Sequence, residues 1–140
     1  MGWPVSVSIL IVLIYSTIID IKYREIPIEL YLCCLLPTAI LAQLWGFGPP
    51  LLEALISAVV WGLVYLALAL FFGGGGGDVV MAGTLSLWLG KHMVLVVGVA
   101  TVLLSVVIFI QKRRAHSASI PYAPFFLAGY ILDRLLLIFI

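Results

Sequence analysis

Charged residues are scarce in this 140-residue chain: they make up 9% of it, against 65% for hydrophobic residues. A typical soluble domain carries about 25% charged residues, so the composition excludes a domain with an ordinary water-exposed surface. The formal net charge of +1 leaves no basic field for nucleic acid and no acidic tail. We therefore predict an all-α polytopic protein of the lipid bilayer, with residues 1–140 forming a single membrane-embedded domain.

Cysteine and histidine are scarcer still, with two of each. Cys33 and Cys34 are the two cysteines; neighbours in one helix point in different directions and rarely bond, so we expect free thiols in packing roles. The chain has no C-x-x-C pair, and neither His92 nor His116 has a second ligand at metal spacing. The sequence therefore predicts no zinc site.

Apolar stretches are what the sequence has in abundance. A membrane-spanning helix needs about 20 apolar residues, and we predict about six spans, at residues 4–21, 28–45, 51–72, 79–89, 93–110 and 121–140. Glycines and prolines make residues 46–50 a turn, and residues 111–119 are a polar loop. Segment 79–89 is too short to cross a core of about 30 Å, so it must recruit the preceding glycines or begin within the membrane.

The distribution of basic residues predicts how these spans are oriented in the membrane. They fall mainly in the first and fifth loops, as Lys22, Arg24, Lys112, Arg113 and Arg114. Because cytoplasmic loops carry an excess of Lys and Arg, we predict that loops one, three and five are cytoplasmic and that the N-terminus is outside. This topology puts Asp20 and Asp78 on the same face of the membrane.

These two aspartates are the main candidates for chemistry. Asp20 ends the first apolar stretch, and Asp78 directly follows five glycines. A carboxylate at the edge of hydrocarbon is costly and is usually functional, and two carboxylates that meet can share one proton and activate a water. The alternative is that each is an interfacial charge, with Asp20 paired to Lys22 or Arg24. Asp133 and Arg134, within the last span, are the best competing site; we expect there either an internal ion pair or an arginine whose side chain extends to the membrane interface.

Two segments of the sequence predict irregular backbone at the start of a span. The glycines before Asp78 are either a flexible linker or an open backbone edge along which a substrate strand can lie. Residues 120–124 either begin a helix or help to shape the site. No Gly-Lys-Ser/Thr follows the glycines, which argues against a phosphate loop. The candidate substrate-binding residues are Gly75, Gly76, Gly77, Pro121, Tyr122 and Pro124.

Three motifs together resemble the type IV prepilin peptidases, whose relatives include the archaeal preflagellin (archaellin) peptidases. Asp20 is followed by a basic stretch and then by Ile26-Pro27. Gly75-Gly76-Gly77-Asp78 is similar to the family's Gly-x-Gly-Asp signature. Pro121-Tyr122-Ala123-Pro124 with Ala128-Gly129 is similar to its final segment. Order and membrane placement make the combination specific, and it extends from the first span to the last.

The resemblance implies a Gly-x-Gly-Asp aspartyl protease of the cell membrane, with its active site facing the cytoplasm. Such enzymes remove the basic leader of type IV pilin-like or archaellin-like precursors, with Asp20 and Asp78 catalytic and with no metal or other cofactor. The short first loop has no cysteine, so the N-methyltransferase domain of many bacterial members is not implied. Ile28 and Val80 depart from the family's usual Asn and Lys, which bears on substrate handling and loop charge.

Two other functions remain compatible with the residues. One is a presenilin-like protease that cuts inside a transmembrane helix. The other is a non-catalytic membrane subunit of a secretion or transport system, in which the two acids are separated or bind an ion.

Overall fold

The computed structural model describes residues 3–72, 75–113 and 120–139, with side chains for residues 6–71, 75–111 and 120–139. Helix accounts for 89% of the structure, and the described residues contain no strand. The prediction of an all-α protein is therefore confirmed.

The described residues form seven α-helices. They are α1 (Trp3–Tyr23), α2 (Ile28–Leu30), α3 (Leu36–Leu44), α4 (Leu51–Phe72), α5 (Gly76–Leu89), α6 (Met93–Arg113) and α7 (Ala123–Phe139). A π-helical segment, Tyr31–Leu35, joins α2 to α3 as one apolar helix. A single 3₁₀ turn, Gly90–His92, joins α5 to α6.

The helical segments run in alternating directions. Asp20 contacts Ala123 while Ser6 contacts Tyr130, so α1 and α7 are antiparallel. The contact of His92 with Asp133 and the close approach of Val96 to Gly129 show the same for α6 and α7. We call the end of the bundle that holds Asp20 and Asp78 the aspartate end, and the end that holds the turn Gly90–His92 the far end.

Within the described ranges, three helical stretches are long and apolar enough to cross a membrane: Ser6–Tyr23, Leu51–Phe71 and Gly76–Gln111. The third contains α5, the 3₁₀ turn and α6, and Ile28–Leu44 is a shorter apolar helix. Large apolar side chains cover the outside of the bundle, as a lipid-facing surface requires. Membrane embedding is thus supported, whereas the count of six spans and the external N-terminus stay predictions.

Several boundaries differ from the sequence-based ones. Helix α5 recruits Gly76 and Gly77 into its first turn, as the shortness of segment 79–89 required. Helix α6 continues to Arg113, so the predicted loop at residues 111–119 was wrong at its start; residues 114–119, with Arg114 and His116, lie outside the described residues. Cys33 and Cys34 are free, as predicted, but both are exposed on the helix surface rather than packed in the core.

A proline explains the π-helical segment. Pro37 has no N–H to donate to a carbonyl one turn earlier, so the α-helical ladder is interrupted there. The wider turn at Tyr31–Leu35 absorbs this interruption. The Leu35 carbonyl then accepts a hydrogen bond from the Trp88 indole N–H at 3.1 Å, which fastens this helix to α5.

Helix α5 forms the centre of the core. Its buried apolar residues face α4 on one side and the α2–α3 helix on the other. Its buried hydroxyls, Thr84 and Ser86, donate to the carbonyls of Val80 and Ala82 one turn earlier. Because every polar group in these contacts has a partner, α5 can be surrounded by protein although it is not purely apolar.

We expect Gly129→Ala to destabilise the bundle by about 1–3 kcal/mol. A Cβ at Gly129 would lie 2.5 Å from the Val96 carbonyl oxygen, so α6 and α7 would have to separate. The matched control is Gly98→Ala, where a Cβ would meet no atom within 4 Å and greater helix propensity should leave stability equal or higher. Thermal unfolding in detergent would contradict the packing if the two variants lost stability equally.

Candidate active site

Asp20 lies at the end of α1, where the backbone stops being helical. Arg24 adopts a left-handed conformation with φ of 60°, and its N–H bonds to the Asp20 carbonyl oxygen at 2.9 Å. This residue ends α1 in the manner of a left-handed helix cap. Asp20 therefore belongs to the last turn of α1, beside the short connection to α2.

The Asp20 carboxylate is buried, with 4% of the residue exposed. Its Oδ2 accepts a hydrogen bond from the Ala123 backbone N–H at 2.8 Å. Ala123 is the first residue of α7, whose N–H has no acceptor within its own helix and whose dipole favours a negative charge. The contact that holds Asp20 in place is therefore with α7, while Lys22 lies over the Tyr23 ring, 5.0 Å from its centroid.

Asp78 lies in the first turn of α5. Gly75 precedes the helix in an extended conformation, and the Asp78 carboxylate accepts a hydrogen bond from the Gly75 backbone. An acid at the third helical position that reaches back to the cap residue is half of a capping box. The N-terminal end of the α5 dipole stabilises the same charge.

Of the three described glycines before Asp78, which are Gly75, Gly76 and Gly77, only Gly77 lies where a side chain would clash. A Cβ at Gly77 would lie 2.8 Å from the Cβ of Ile26 and 3.3 Å from the Ile26 carbonyl oxygen, whereas a Cβ at Gly76 would meet no atom within 4 Å. The absence of a side chain at Gly77 thus allows the start of α5 to lie against the Ile26-Pro27 connection. The motif that follows Asp20, ending in Ile26-Pro27, and the glycine motif before Asp78 are therefore in contact at this point.

Asp20 and Asp78 line one cavity of about 1030 Å³ at the aspartate end. The two carboxylates are close enough to interact electrostatically. The other predicted site residues on the cavity wall are Gly75, Gly76, Gly77 and Tyr122. Pro121 and Pro124 are not among the residues that line it; Pro124 is the second residue of α7, where proline suits a helix start.

Tyr122 is a hydrogen-bond donor near Asp78. Tyr122 is half-buried and lies within electrostatic range of Asp78. Because a phenol ordinarily loses its proton only near pH ~10, this O–H is present at neutral pH. The cavity therefore combines two carboxylates with an O–H donor.

Sequence reasoning missed two tyrosines of this region. Tyr31 is fully buried; its hydroxyl donates to Ser16 Oγ at 2.8 Å, one turn before Asp20, and it lies within electrostatic range of both aspartates. Tyr65 lines the cavity and packs on Phe126, with ring centroids 5.6 Å apart. In the sequence both are single aromatics within apolar stretches, a pattern that indicates ordinary packing.

The acid inside the last predicted span, Asp133, forms an ion-paired cluster. Asp133 accepts a hydrogen bond from Arg134 Nη2 at 2.5 Å, and its other oxygen lies 3.0 Å from His92 Nδ1. This cluster belongs to the far end and confirms the predicted ion pair. Within the described part of the chain, no group of three or more His, Cys, Asp or Glu residues is arranged to hold a metal ion.

Two acids that share a cavity in an all-helical membrane protein define a candidate membrane hydrolase. Residues 7–110 of the chain match the family model described as the type IV leader peptidase family. The chain belongs to this family, and the resemblance drawn from its motifs is confirmed. The match ends before Pro121, so it does not depend on the last motif. Comparisons with curated proteins and with solved structures returned no match.

The proximity of the two carboxylates predicts a chemical crosslink. Asp20→Cys and Asp78→Cys, combined with Cys33→Ser and Cys34→Ser, should be joined within one chain by a short bismaleimide. The control pairs Asp20→Cys with Val94→Cys, because Val94 is exposed near the start of α6 at the far end. One reagent molecule should not join these two thiols. Intact mass reads the added crosslinker, and failure of the first pair to join would contradict the shared cavity.

Proposed function

We propose that this protein is a membrane aspartic endopeptidase that removes the basic leader of type IV pilin-like or archaellin-like precursors. The observation that carries the proposal is the pair of aspartates on one cavity wall in a chain of the leader peptidase family. Peptide hydrolysis by carboxylates needs two of them, because one must accept a proton while the other donates a hydrogen bond.

In the proposed mechanism Asp20 and Asp78 hold one proton between them. The ionised carboxylate takes a proton from water, and the resulting hydroxide adds to the carbonyl carbon of the scissile peptide bond. The protonated carboxyl donates a hydrogen bond, and then its proton, to the carbonyl oxygen. When the tetrahedral intermediate collapses, the C–N bond breaks and the leaving amine receives a proton from one carboxyl. A hydroxyl of the intermediate gives its proton to the other carboxylate, so the pair again holds one proton.

Fixed backbone contacts support this role of the carboxylates. Asp20 is held by the N–H of Ala123, and Asp78 by the backbone of Gly75. Each acid is therefore anchored by a different helix N-terminus, and neither has to be reorganised when a substrate arrives.

The cavity also offers contacts for the substrate. Gly75 and Gly76, both exposed, leave open backbone along which an unwound substrate strand can lie. Glu25 and Glu29 line the same cavity, and their negative charge suits a basic leader. The apolar helix of the precursor would approach laterally through the bilayer.

The proposal also includes the orientation of the protein in the membrane. Basic residues of the first loop lie at the aspartate end, so the positive-inside rule favours a cytoplasmic position for the cavity. The protein would then be a multi-pass component of the cell membrane that receives its precursor from the cytoplasmic side.

Asp20→Asn and Asp78→Asn should each lower precursor cleavage by at least ~10³-fold, because neither amide can accept the proton from water. Co-expression with a precursor that carries a basic leader, followed by mass measurement, reads the loss of the leader. Unchanged thermal unfolding in detergent would show that each variant is folded. Complete processing by either variant would leave a non-catalytic membrane subunit as the better interpretation.

Gly77→Ala should reduce cleavage by at least ~10-fold, because the new Cβ would push the first turn of α5, and with it Asp78, away from Ile26. Gly83→Ala is the matched control in the same helix, where a Cβ would meet no atom within 4 Å. Initial rates of leader removal compare the two variants. Equal rates would show that the contact of Gly77 with Ile26 does not position the carboxylate.

A further inference from the structure

A second cavity opens at the far end of the bundle, away from the aspartates. Its volume is about 570 Å³, and most of its lining residues are apolar, including residues from the start of α1 and the end of α7. Three basic side chains, Lys91, His92 and Arg134, also line it. The cavity thus combines an apolar wall with a group of basic side chains.

Two of these three side chains already contact an acid. Asp133 is 97% buried and lies against both His92 and Arg134. Glu53, which also lines the cavity, directs Oε1 at the Lys91 backbone N–H at 2.8 Å. The Lys91 ammonium is exposed, and no acidic side chain in the described residues lies within ion-pair distance of it.

The end of α7 brings apolar surface to the same cavity as Lys91. Helix α7 continues beyond Arg134 with five apolar residues, 135–139, which extend it outward by roughly 7 Å. Three residues of this segment line the cavity together with Lys91. Helix α5, which ends just before Lys91, has 14 residues, or about 21 Å, against a hydrocarbon core of about 30 Å. A charge beside apolar surface that faces lipid is costly without a partner.

We propose that the far-end cavity binds a phospholipid, with its phosphate on the Lys91 ammonium and its acyl chains along the apolar wall of α1 and α7. A phosphodiester supplies a negative partner for the Lys91 ammonium. The acyl chains cover apolar surface that would otherwise be exposed to water. The shortness of α5 favours the same arrangement, because lipid next to a short span thins the bilayer and brings its headgroups inward.

The test measures lipid retention by native mass spectrometry of the protein purified in detergent. Phosphatidylglycerol and a diacylglycerol with the same acyl chains are added separately. We expect the wild type to retain phosphatidylglycerol in preference to diacylglycerol, and Lys91→Gln to weaken this binding roughly five-fold. Lys91→Arg should preserve the binding, because it keeps the charge.

Lys22→Gln removes the same charge at the aspartate end and serves as the matched control, with retention expected to equal that of the wild type. Equal retention of the two lipids by the wild type would overturn the proposal, since it would indicate an apolar crevice without a headgroup site. Equal losses in Lys91→Gln and Lys22→Gln would overturn it as well. Precursor cleavage is not needed for this readout, so the result is independent of the proposed protease activity.

Discussion

The hydrogen bond from the Ala123 N–H to Asp20 ties the last turn of the first helix to the first turn of the last one. A bond to an ionised carboxylate contributes on the order of 1.5–3 kcal/mol, and a buried carboxylate without such a partner costs at least as much. The antiparallel packing of α1 on α7 depends on this contact at one end and on the Tyr130 hydroxyl bond to Ser6 at the other. The same bond fixes the position of one proposed catalytic acid, so stability and chemistry share an interaction.

The second acid depends on close backbone approach. Helix α5 is short, central and surrounded, and it can begin beside the Ile26-Pro27 connection because Gly77 has no side chain. The Trp88 bond to the Leu35 carbonyl holds the same helix further along. Asp78 is thus carried on the most enclosed helix of the bundle, and the start of α5 lies on the wall of the cavity.

The few charged side chains of this protein include groups at both ends of the bundle. At the aspartate end, helix N-termini and backbone N–H groups hold the two acids. At the far end, Asp133 is matched by His92 and Arg134, while Lys91 faces the second cavity. In lipid each such charge needs a partner. Asp133 has its partners within the protein, and the lipid site is inferred from Lys91, which has no acidic side chain within ion-pair distance among the described residues.

The sequence by itself determined the helical class, the membrane setting, the helix positions to within a few residues and the family, because apolar length and the spacing of glycine, proline and acid are local properties. It also indicated Asp20, Asp78 and the Asp133 ion pair. Only the tertiary structure decided that α7 holds Asp20, that Tyr31 and Tyr65 lie near the acids, and that Pro121 and Pro124 do not line the cavity. These facts depend on contacts between helices distant in sequence, and single tyrosines or prolines in apolar stretches carry no local signal of them.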